Sequence, residues 1–243
     1  MSSTSETGNA KNVANFQDLI AFVTGYGTTY NPSKNALKLP QLNTLYTTSQ
    51  ASLADVVTKN TSYNNKVNER VIAFKDLKSL STRLINALQT TDATKEKIAD
   101  AKAFNKKMQG VRAKVVQTPT DPNAPAPTTI STSQQSYDQQ IQHLAGIISV
   151  LESEPSYTPN ETDLQVATLI AKQADLTSKN SAVATAYTNV SNSRISRDTT
   201  IYGTETGLFD VASEVKKYIK SVFGTTSAQF AQVKGIEFTK KRK

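Results

Sequence analysis

From Leu39 to Leu88 the apolar positions Leu42, Leu53, Val56, Tyr63, Val67, Phe74, Leu77, Leu84 and Leu88 are separated by sums of three and four residues. That spacing places them on one face of an α-helix packed against another helix. The stretch holds no glycine, and its only proline, Pro40, falls where a first helical turn tolerates one. One continuous helix of roughly 50 residues is predicted, ~75 Å long at 1.5 Å per residue. A second long helix is predicted from about Glu161, with Asn160 as its N-cap and Asp163 as the acidic partner. Its inner face reads Leu169, Leu176, Asn180, Val183, Tyr187, Val190, Arg194, Arg197, Ile201, Thr204, Leu208, Val211, Val215, Tyr218 and Val222. Gly203 and Gly207 predict a bend in it, and Gly224 its end.

Shorter helical patterns flank these two. Phe16, Leu19, Ile20 and Val23 form a stripe that ends at Gly25 or Gly27. A basic helix is predicted from Asp92 to Gly110, and another helix on Tyr137, Ile141, Leu144, Ile148 and Leu151. A last short one covers Ala228–Val233.

The segment YNPSKNALKLPQL (30–42) returns as YTPNETDLQVATL (157–169), 127 residues later. At that offset Val56 matches Val183, Arg70 matches Arg197 and Phe74 matches Ile201. Upstream, Phe16, Ile20 and Val23 align with Tyr137, Ile141 and Leu144, and the segments Thr90–Ala93 and Thr225–Ala228 also correspond. The expectation is an all-α, elongated helical bundle or coiled-coil-like rod made of two tandem similar halves. Each half would hold a short helix, a long helix and a short basic helix. The expected division is a disordered stretch 1–11, a first half 12–114, a Pro-rich linker 115–132, a second half 133–235 and a basic tail 236–243.

Hydrophobic residues make up 37% of the chain, and this low fraction suits helices that bury only a stripe. No apolar run is long enough to span a membrane, and the first residues lack a secretory pattern, so membrane insertion is not expected and a cytoplasmic setting is. The net charge of +8 is concentrated in two places. Residues 95–114 carry seven Lys or Arg against two acids, and residues 234–243 carry five against one. Lys95, Lys102, Lys106 and Lys107, with Lys240, Lys241, Arg242 and Lys243, are therefore candidate anion- or nucleic-acid-binding residues.

Catalytic chemistry has little to draw on. Cysteine is absent, and His143 is the one histidine, expected on a partly exposed helix surface with no nucleophile motif nearby. Glu152, Glu154, Glu205 and Asp210 are expected to be ordinary surface acids. No cofactor, metal or small-molecule substrate is expected, and no enzymatic activity. Arg70 and Arg197 occupy the packed seams at matching places and are expected to form a polar layer, bonded to Glu69, Asp198 or backbone oxygens.

The stretches NERVIAFKDLKSLSTRLINAL and YIKSVFGTTSAQFAQVKGIEF resemble basic, all-helical proteins of about this length in Bacteroidota bacteria. The resemblance implies a bacterial, cytoplasmic setting and no assigned activity. The functional expectation is a structural or assembly protein, a helical scaffold that self-associates as a dimer or filament. The alternative is a basic protein that binds the phosphate backbone of nucleic acid, or another acidic surface, without sequence specificity.

Overall fold

The computed structural model describes residues 7–110 and 135–240. Every regular element among them is helical. In chain order these are α1 (Thr7–Gly25), α2 (Leu39–Phe74), α3 (Leu77–Leu88), α4 (Lys95–Gln109), α5 (Tyr137–Glu152), α6 (Val166–Tyr202), α7 (Leu208–Phe223) and α8 (Ala228–Lys234). Short 3₁₀ turns precede both long helices, at Asn35–Leu37 and Thr162–Leu164.

The predicted 50-residue helix is interrupted. α2 ends at Phe74, and Lys75–Asp76 turn the chain into α3, so the continuous helix is 36 residues and ~54 Å long. No breaker residue marks the turn. It is set by packing, because α3 buries Leu77, Leu80, Leu84, Ile85 and Leu88 on a face that α4 and α5 cover. The corresponding place in the second stretch is a full interruption rather than a bend, Gly203–Gly207. There Gly207 N–H donates to Gly203 O at 2.7 Å, and a Cβ on Gly207 would stand 2.5 Å from Gly203 N. Glu205 takes a left-handed φ of 64° inside this turn, and its N–H donates to Asp210 Oδ2 at 2.9 Å. Glu205 and Asp210 thus shape a turn instead of decorating a helix.

Other boundaries also shift. α1 starts at Thr7, inside the stretch expected to be disordered. α4 is capped by Thr94, whose Oγ accepts from Lys97 N–H, not by Asp92, and Gly110 closes it at φ 72°. α6 begins at Val166, and Asp163 lies in the preceding 3₁₀ turn. The Pro-rich linker 115–132 lies outside the described residues.

Two compact units are present, Met1–Tyr63 with Ala186–Lys243, and Asn64–Thr185. The first packs α1, the start of α2, the end of α6, α7 and α8 around Phe16, Leu19, Leu42, Ile201, Leu208, Val215 and Ile219. The second packs the end of α2, α3, α4, α5 and the start of α6 around Leu77, Leu84, Met108, Leu144, Ile147 and Leu169. Within each unit the long helices run antiparallel. Tyr63 meets Tyr187 in the first; in the second Arg70 meets Asn180 while Leu77, further along the chain, shares a core with the earlier Leu169. Three residues expected on the inner face of the second long helix are exposed, Tyr187 at 61%, Val222 at 41% and Thr204, while Ala186 and Ser193 turn inward.

The repeated Tyr-x-Pro loops are built alike. Tyr30 Oη donates to Leu37 O at 2.8 Å, and Tyr157 Oη donates to Leu164 O at 2.9 Å. All four residues are buried, so each phenol closes its loop onto the first turn before a long helix.

Two outcomes follow. Gly207→Ala is expected to destabilise the fold by about 1–3 kcal/mol because backbone must move, while Gly25→Ala, with open space around it, is neutral or slightly stabilising; urea midpoints separate the two. Burial pushes the Tyr157 hydroxyl up to about 12, with Glu161 and Asp163 adding to it, and burial raises Tyr30 as well. An unfolded tyrosine ionises near pH ~10. A raised folded pKa means that the stabilisation is whole below the unfolded value and is lost as pH climbs toward the folded one. Stability should therefore fall between about pH 10 and 12, and fall less steeply in Tyr30→Phe/Tyr157→Phe. At neutral pH each single Phe variant should lose about 1–3 kcal/mol through its unsatisfied carbonyl.

Candidate functional site

α4 presents two faces with different chemistry. Ala101 and Met108 are fully buried against α3 and α5, and Ile98 packs beside them. Lys95, Lys102, Lys106 and Lys107 are exposed on the remainder of the helix. Among the described residues none of these four is ion-paired with a carboxylate; Lys107 Nζ lies 5.9 Å from the Phe104 ring centroid. A fifth lysine, Lys97, behaves differently. Its Nζ donates to Ser153 O at 2.7 Å and to Glu154 at 3.1 Å, tying α4 to the end of α5. Glu154 is buried, contrary to its expected surface position. It accepts from Ser156 Oγ at 2.6 Å, and this bond, then Lys97, holds its carboxyl below the usual range.

At the other end of the chain Lys240 is exposed, 5.8 Å from the Phe209 ring, while Lys241, Arg242 and Lys243 lie outside the described residues. The segment leading to Lys240 is not a free tail. Asn12, fully buried on α1, donates to Thr239 O at 2.9 Å and accepts from Thr239 N–H at 2.8 Å. Ile236 and Phe238 pack on the first core. Lys216 Nζ donates to Ile236 O, and its pKa is lowered by burial, partly offset by Glu237. Nothing in the hydrophobic pattern singles out Asn12, since an asparagine in an amphipathic helix reads as solvent-facing.

The two arginines lie in different units. Arg197 is buried, and both its Nε and Nη2 donate to Asp198 Oδ1, at 2.9 and 2.6 Å. Arg70 does not use Glu69, which is held by Lys66 and Lys179. Its guanidinium carbon sits 4.1 Å from the Tyr137 ring centroid, and Nη1 donates to Asn180 Oδ1 at 3.0 Å. Asn180 Nδ2 passes the polarity on to Asp138 Oδ1 at 2.7 Å. A cation over an aromatic face, with one amide fixing its edge, orients two helices more sharply than a bare charge pair.

One further cleft, about 720 Å³, is lined in the second unit by Asp76, Ser79, Arg83, Asp163, Lys172 and Asp175 over Leu80 and Leu169. Arg83 and Asp163 are paired there; each favours the other's charged form, so Asp163 is held low and Arg83 high. His143 is 4% exposed rather than on the surface, since α5 turns it inward beside Leu144 and Ile147. Among the described residues no group of His, Asp or Glu could hold a metal ion, and no helix is long and apolar enough to cross a membrane.

No protein family, curated protein or solved structure matches the chain. Its chemistry is read from its own residues.

The Arg70 arrangement is testable by a double-mutant cycle. Arg70→Ala and Asn180→Ala should couple by about 0.5–3 kcal/mol in denaturant unfolding, and Arg70→Lys should recover little of the loss because an ammonium lacks the planar fork.

Proposed function

We propose that this protein is a non-enzymatic helical scaffold that self-associates, and that its two halves derive from one duplicated unit. The observation that carries the first part is aliphatic exposure on the long helices. Val71 and Ile72 stand side by side on α2 at 51% and 70% exposure, and Ile195 on α6 is 62% exposed. Single exposed aliphatics are ordinary, but two adjacent ones on a helix whose opposite face is already packed favour a further partner.

Duplication is supported by position-by-position agreement in burial. Phe16, Leu19, Ile20 and Val23 of α1 correspond to Leu144, Ile147, Ile148 and Leu151 of α5, all buried. This alignment lies seven residues from the one that sequence suggested, a whole heptad, so both put apolar on apolar. Leu42 and Leu169, Val56 and Val183, and Phe74 and Ile201 are buried pairs at the offset of the Tyr-x-Pro loops. Beyond them Leu77, Leu80, Leu84 and Leu88 of α3 correspond to Leu208, Val211, Val215 and Ile219 of α7, a further four residues along because the Gly203–Gly207 turn is longer.

The second reading, nucleic-acid binding, is favoured by the exposed Lys95, Lys102, Lys106 and Lys107 of α4. Their spread fits phosphate, and Phe104 is the one aromatic that α4 itself offers for stacking. One set of measurements tests both readings. Light scattering across a concentration series should show mass growing above the monomer at low and high salt, and Ile72→Lys/Ile195→Lys should reduce it. A strict monomer throughout rejects the scaffold. Duplex binding that falls by orders of magnitude between ~50 and ~200 mM salt, and is lost when the four lysines become Gln, would favour the second reading.

A further inference from the structure

The buried clusters share one property: each is an interface between residues 7–110 and residues 135–240. In the first unit Phe16, Leu19 and Leu42 come from the earlier stretch, and Leu208, Val215 and Ile219 from the later one. In the second, Leu77, Leu84 and Met108 face Leu144, Ile147 and Leu169. Neither stretch closes a core by itself.

Ion pairs divide the same way. The ion pairs Lys34–Glu214, Arg83–Asp163, Lys97–Glu154 and Lys179–Glu69 all join the earlier stretch to the later. Those within a stretch, Lys59–Asp55, Lys66–Glu69 and Arg197–Asp198, link neighbours on a single helix. The clamp of Asn12 on Thr239 and the bond from Tyr26 Oη to Gln229 O, at 2.9 Å, also cross between stretches. Each stretch packs some of its own helices together, as α3 does with α4 and α7 with α8, but both cores are completed across the stretches, and nothing in these crossing contacts requires the two to belong to one chain.

We infer that the partner in self-association is a second copy of this chain, and that association proceeds by exchange: residues 7–110 of one copy pair with residues 135–240 of another and rebuild both units. The inference rests on the self-association proposed above and adds to it a route whose exchanged contacts do not involve the exposed Val71, Ile72 or Ile195. Closed and exchanged forms make the same contacts, so concentration decides between them. A short tether holds a chain's own halves at an effective concentration on the order of mM. The closed monomer therefore prevails in dilute solution, and exchange sets in when chains refold together at high concentration. Reciprocal exchange closes a dimer; non-reciprocal exchange extends a filament.

Because the chain has no cysteine, single-cysteine variants report without background. Arg83→Cys and Asp163→Cys place one thiol each on side chains that meet only across the two stretches. The two full-length variants are unfolded together, refolded at about 100 µM, treated with a short bis-maleimide, and separated by size. Links joining position 83 of one copy to position 163 of the other should exceed 83–83 links severalfold, because only the exchanged pairing brings positions 83 and 163 of different copies together. They should be scarce when the variants are mixed already folded. Arg83→Cys/Asp163→Cys on one chain should link internally in the dilute monomer. Oligomers without 83–163 links, alongside an efficient internal link in that double variant, would overturn exchange while leaving self-association standing. If the chain stays strictly monomeric after refolding at high concentration, both fail.

Discussion

The apolar stripes of the short helices α1 and α5 are covered chiefly by helices from the other stretch of chain, and satisfying them organises the rest of the molecule. α1 lies against α7 and α8, and α5 against α3 and α4. Each stripe is only as wide as Phe16, Leu19, Ile20 and Val23, or Leu144, Ile147, Ile148 and Leu151. Burying four such side chains contributes several kcal/mol at about 1.5–3 kcal/mol each, and the gain is realised only when the distant helix arrives. The core is therefore assembled from non-local contacts even though every secondary element is local.

That requirement explains the interruptions in the long helices. A straight continuation of α2 into α3 would keep the face of Leu77, Leu80 and Leu84 in line with the α2 seam, whereas α3 covers α4 and α5. Lys75 and Asp76 supply the turn without any breaker. In the second stretch the chain uses Gly203 and Gly207 at close backbone approach, with Asp210 holding Glu205 in its left-handed conformation. One kind of packing is reached by two different local chemistries.

Polar side chains then fix what apolar burial leaves free to slide. Asn12 reads both backbone groups of Thr239, Glu154 gathers Ser156 and Lys97, and the Tyr30 and Tyr157 hydroxyls close their loops onto carbonyls seven residues on. Arg70 adds a planar cation stacked on Tyr137. Each of these groups is at least partly withdrawn from water and holds a specific partner, so each penalises a shifted register by leaving that donor or acceptor unmet. The lysines of α4 take no such part, apart from Lys97, and remain available to solvent or to a partner.

Sequence alone determined the helical class, the positions of the two Tyr-x-Pro loops and most inward-facing residues, because the spacing of three and four is a property of the helix itself. It also picked out the exposed cations Lys95, Lys102, Lys106 and Lys107, while the burial of Ala101 and Met108 on the same helix came only from the packed chain. It did not reveal where the long helices stop, since the turn after Phe74 carries no residue that forbids a helix. Nor did it reveal that His143, Glu154 and Asn12 are buried, because polar residues at those spacings are compatible with a solvent face until a neighbouring element covers them. Which helix supplies that cover was decided only by the tertiary structure: two similar stripes can pair within a half or across halves, and only the packed chain shows that they pair across.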